Sequence, residues 1–137
     1  MKITTITFLA LLFVFSSFVN SKDNSDKKTI TFWLKGKWEG IGNQIDGATW
    51  EVKLNVKSKF KISVEYPDLS CKGIWEIVSE TDNVINLKEN ITKNNSGRCD
   101  QGVELVVEKV SDKEVIVNFF LKSYSEKSIA KATLKKV

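Results

Sequence analysis

The sequence predicts an all-β fold, a small antiparallel up-and-down barrel of about eight strands. From residue 36 onward, apolar residues recur at every second position in short runs, the period of a strand with one buried face. Clusters of Gly, Pro, Asn, Asp and Ser separate the runs, as turns do. No stretch there carries the three-and-four spacing of an amphipathic helix, so nothing is available to cover an open sheet. Closing the sheet on itself removes its edges. A two-sheet β-sandwich is the alternative.

The first strand is expected over 36–44, with Trp38 facing inward, and it ends at Asp46-Gly47, the strongest hairpin signal in the chain. Over 48–57, Trp50, Val52, Leu54 and Val56 alternate with Glu51, Lys53, Asn55 and Lys57. Over 59–66, Phe60, Ile62, Val64 and Tyr66 alternate with Lys61, Ser63 and Glu65, and Pro67-Asp68 stops the run. Cys71, Gly73, Trp75 and Ile77 share one face of a strand over 71–79. In 83–92, Ile85, Leu87, Glu89 and Ile91 share a face opposite Val84, Asn86, Lys88 and Asn90. The sixth strand, over 102–110, carries Val103, Leu105 and Val107. The seventh, over 113–122, carries Val115, Val117, Phe119 and Leu121. The eighth, over 127–136, carries Ala130, Ala132 and Leu134. A meander of these strands places the longest loops, at 66–70, 93–101 and 123–127, at one end, together with Cys71 and Cys99.

The start of the chain has a different character. Met1-Lys2 precedes an apolar run, Phe8 to Phe15, and a small-residue stretch ending at Ser21. This predicts a secretory signal peptide over 1–21; the run is shorter than the roughly 20 residues that span a bilayer. A polar, flexible leader is expected over 22–30 and the barrel over 31–137, giving a secreted or periplasmic protein with no stable membrane span after cleavage. In an oxidising compartment the two cysteines, Cys71 and Cys99, predict a disulfide.

Composition narrows function. The chain of 137 residues has no histidine, which removes every Ser-His-Asp or Cys-His nucleophile arrangement and every His-ligated zinc site. The remaining carboxylates mostly alternate outward and no phosphate-binding glycine loop follows a strand, so neither an enzyme nor a cofactor is expected. Net charge is +4, but the lysines interleave with acids and Arg98 is the only arginine, so no nucleic-acid stripe is expected. Asn90 and Asn94 begin glycosylation sequons.

Glu89 breaks the pattern, because alternation turns it into the barrel near the long-loop end. A buried charge needs a partner, and Arg98, a Trp N–H, a Tyr hydroxyl or a Lys could serve. It reads either as a satisfied structural network or as a ligand contact. Trp38, Trp50 and Trp75 face inward, as core filling or as pocket walls. Tyr66, Asp68, Arg98, Asp100 and Tyr124 decorate the long-loop end, where binding residues concentrate. The partner is therefore a small molecule inside the barrel, at Trp38, Trp50, Trp75 and Glu89, or another protein at these loops.

Leu34-Lys35-Gly36-Lys37-Trp38-Glu39-Gly40 is similar to the start of lipocalin-like and avidin-like barrels. Tyr66-Pro67-Asp68-Leu69-Ser70-Cys71-Lys72-Gly73, with Trp50, Glu89-Asn90-Ile91-Thr92 and Cys99, resembles a family of small exported bacterial domains. Those carry W-x-G, Y-P-x-L-x-C-x-G, E-x-I-T and a second Cys in this order, over roughly residues 34–136 here. The resemblance implies a small β-barrel with its cysteines bonded, a structural role for Glu89, and no assigned activity. A binding module is the resulting expectation, with a protein-interaction module of the inhibitor or immunity type as the alternative.

Overall fold

The computed structural model describes residues 32–137; the expected signal peptide and leader lie outside them. Eight strands follow in order: β1 (Gly36–Gln44), β2 (Thr49–Ser58), β3 (Lys61–Tyr66), β4 (Cys71–Glu80), β5 (Val84–Asn94), β6 (Glu104–Ser111), β7 (Glu114–Phe120) and β8 (Ala130–Lys136). Each pairs antiparallel with the next, and β8 returns to β1, closing the barrel. The meander and its closure match the sequence pattern, and the sandwich is set aside. One end carries the tight links β2–β3, β4–β5 and β6–β7. The other carries the links after β1, β3, β5 and β7, including residues 95–103 and 121–129.

The inward stripes form one core. Val52, Leu54, Val56, Ile85, Leu87, Leu105, Val107, Val115, Val117 and Leu134 are all buried. Three departures have local causes. Phe60, expected inward, is 98% exposed; the register shifts between Val56 and Ser58, so Phe60 falls in the turn before β3. Residues 121–129, expected to extend the last two strands, form a link instead. Pro67–Leu69 makes a single 3-10 turn, its proline preset for a first helical position.

Two glycines on the inner face of β1 make room. Gly42 is registered against Trp50, and a Cβ at Gly42 would come within 2.6 Å of the indole. At Gly40 a Cβ would fall 2.0 Å from the Thr133 carbonyl oxygen across the β1–β8 seam. Backbone of a neighbouring strand cannot yield cheaply. Gly40→Ala is therefore expected to cost about 2–3 kcal/mol through overpacking, read as a lower urea midpoint. An unchanged midpoint would show that the seam can spread.

The tight-turn end is stoppered by the chain entering β1. Leu34 is fully buried, and its carbonyl accepts the Trp38 indole N–H at 2.8 Å. Lys59 lies 5.5 Å over the Phe32 ring and Lys109 lies 6.0 Å over Trp33, and the Trp33 indole N–H donates to the Thr81 carbonyl at 3.5 Å, which ties the segment to all three tight links.

Candidate functional site at the long-loop end

Glu89 does face inward and is only 4% exposed. It sits on β5 in register with Trp75 of β4. Its partners are the Tyr66 hydroxyl, which donates to Oε2 at 2.5 Å, and the Trp75 indole N–H, which donates to the same oxygen at 2.7 Å. Among the described residues no hydrogen bond reaches Oε1. Burial is the largest influence on Glu89 and raises its pKa from the usual 4.5; the two hydrogen bonds pull it down, and Asp100 pushes it up. Burial, followed by the Glu89 charge, raises the Tyr66 pKa well above 10.0, so its hydroxyl remains a donor.

A raised acid pKa means that the folded protein holds this proton more tightly than the unfolded chain. The stability so contributed is complete below about 4.5, the ordinary carboxyl value, and is lost as pH rises through the folded value. Glu89→Gln keeps an oxygen acceptor and removes the titration. The difference in unfolding free energy between wild type and this variant should therefore change across that window. A difference that stays constant with pH would count against the assignment.

The loop over residues 95–103 is laced to the 3-10 turn. Cys71 and Cys99 are bonded, with Cα atoms 6.5 Å apart. The Arg98 guanidinium donates to the Asp68 carbonyl at 2.7 Å, and the Ser96 hydroxyl donates to the Leu69 carbonyl at 2.5 Å. The Asp68 carboxylate accepts the Glu51 N–H at 3.1 Å, tying the turn to β2. Asn94 donates its amide to the Cys99 carbonyl at 2.8 Å, so the side chain that begins one sequon holds the loop. β6 pairs with β5 only as far as Lys88. Beyond it the Gln101 amide substitutes for a strand, donating to the Ile91 carbonyl at 2.6 Å and accepting its N–H at 3.0 Å. Sequence reading missed this role; a glutamine flanked by Gly102 just before β6 is the only signal.

Beneath these loops lies a cavity of about 70 Å³ whose walls include Gln44, Trp50, Tyr66, Glu89, Asp100 and Phe119. Phe119 stacks edge-on against both Trp50 and Trp75, with centroids 6.0 and 6.5 Å away. A drug-sized ligand needs roughly 300–1,000 Å³. Trp50 and Glu89 thus reach the cavity together, and Trp75 reaches it only through its bond to Glu89. Trp38 does not join them: it is core at the opposite end. Tyr66 is also corrected, from a surface residue of the loops to a buried one, 3% exposed, as its alternation with Ile62 and Val64 would have indicated. Asp68, Arg98, Asp100 and Tyr124 are exposed at the loop end, Tyr124 at 74%.

Among the described residues, no group of three or more His, Cys, Asp or Glu is placed to hold a metal ion, and no helix is long and apolar enough to cross a membrane. Comparison with protein-family models, with curated proteins and with solved structures returns no match.

Proposed function

We propose that this protein is a secreted or periplasmic, non-catalytic binding module that engages another protein through its disulfide-braced loop end. The observation that carries this reading is the contrast between a side-chain-filled barrel, with about 70 Å³ at its mouth, and a loop face held rigid by the Cys71–Cys99 bond and by hydrogen bonds onto the 3-10 turn. A braced loop carrying an exposed arginine, beside the 121–129 link that carries exposed Tyr124, suits a protein partner, because little ordering entropy is lost where the loop is already held. Membership of the small exported bacterial barrel family, with inhibitor or immunity-type action, belongs to the same reading.

The test is site-specific photo-cross-linking in the native exported fraction. A cross-linker at Tyr124 should give a discrete adduct, whereas one at Val110, by the tight-turn end, should not. Equal labelling from both ends, or none from Tyr124, would reject the loop end as the interface.

A further inference from the structure

The mouth cavity combines three features that together select a ligand chemistry. Glu89 is nine-tenths buried, and its Oε1 accepts no hydrogen bond among the described residues although Oε2 accepts two. Among the described residues no fully buried side-chain polar atom lacks a partner, so the unpartnered Oε1 is not sealed in but open to the cavity that Glu89 lines. The walls above it are apolar and aromatic, Trp50 and Phe119 foremost, with Leu69 and Ile129. Asp100 adds a second negative charge. Among the described residues Arg98 is the one cation lining the cavity and donates a guanidinium N–H to the Asp68 carbonyl, and no ion pair includes Glu89 or Asp100.

We propose that this cavity receives the primary ammonium group of a partner polypeptide, with Glu89 Oε1 as its acceptor and Trp50 and Phe119 flanking the methylenes. A lysine is the natural shape: an apolar stem ending in a compact charge, attracted by ring faces as well as by carboxylates. A volume near 70 Å³ exceeds the roughly 10–15 Å³ that admits a water molecule and falls well short of the roughly 150 Å³ that takes a benzene ring, so it suits an ammonium head but not a ring. The positive charge also offsets the burial that disfavours ionised Glu89. This inference rests on the protein-binding reading and supplies its recognition chemistry.

The Trp75 indole N–H is a direct reporter, since it donates to Glu89. Titration with n-butylammonium should shift its NMR resonance saturably, while n-butanol and butyrate should not. Glu89→Gln should weaken the response at least tenfold, and Asp100→Asn, at an exposed site that does not threaten folding, about two- to threefold. Two arms separate the sources: N-acetyl-lysine methylamide for a side chain, glycine methylamide for a chain N-terminus. If butanol shifts the indole as butylammonium does, or if neither amide-capped amine exceeds the alcohol, the proposal is wrong. Cross-linking from Tyr124 in the absence of butylammonium binding would overturn this inference alone. Binding without cross-linking would overturn the interface and leave the cavity chemistry standing.

Discussion

Glu89→Ala is expected to lower the unfolding free energy by about 3–5 kcal/mol, more than Gly40→Ala. Among the described residues the carboxylate is the sole side-chain acceptor for two buried donors, the Tyr66 hydroxyl and the Trp75 indole. Each orphaned donor costs about 1–3 kcal/mol, and the lost volume enlarges the cavity beneath the loops. Because a domain of this size is held by only about 5–15 kcal/mol, the variant should be marginal at 37 °C. Glu89→Gln, which can still accept both bonds, should cost only about 1 kcal/mol, and Tyr66→Phe a similar amount. Urea unfolding followed by tryptophan fluorescence ranks the three. If alanine and glutamine cost the same, the hydrogen bonds are not what Glu89 contributes.

Removing the disulfide is expected to be nearly as costly. Cys71 and Cys99 are 28 residues apart in sequence, and releasing a loop of that size relaxes the unfolded chain by about 3–4 kcal/mol in the chain-entropy account. The loss should also be local. On its β6 side the Ile91 backbone is held by the Gln101 side chain rather than by a strand, and Gln101 lies in the loop that the disulfide pins, two residues after Cys99. The double variant Cys71→Ala/Cys99→Ala should therefore show faster hydrogen exchange at the Ile91 N–H than at β1–β2 amides, even where the whole protein remains folded. Uniform acceleration across the barrel would show that the bond acts only globally.

Alternation carried most of the fold, because side chains in a strand have only two directions and the barrel has only one inside. It placed Glu89 inward and brought both cysteines to one end. It could not name the partners of Glu89. Tyr66 is 23 residues away, and which β5 residue it meets depends on a register shift between Lys72 and Gly73 that no local pattern announces. Phe60 failed for the same reason, since one extra residue in β2 moves it out of the inward set. Trp38 shows a different gap. Alternation gives the face but not the height, and a tryptophan near the start of the first strand belongs to the end away from the long loops. Alternation placed Gln101 at the long-loop end but not in its role, because there a side chain replaces backbone in the sheet.

The stoppered tight-turn end has a consequence for how the molecule can be presented. The segment entering at Phe32 runs under that end, and Val137 also finishes there, its N–H donating to the Lys37 carbonyl at 3.0 Å. The barrel thus has a head and a tail, and Phe32 and Val137 both lie at the tail. Tethered through Val137 to a sensor surface, it holds the Glu89 mouth outward, like a lamp on a post.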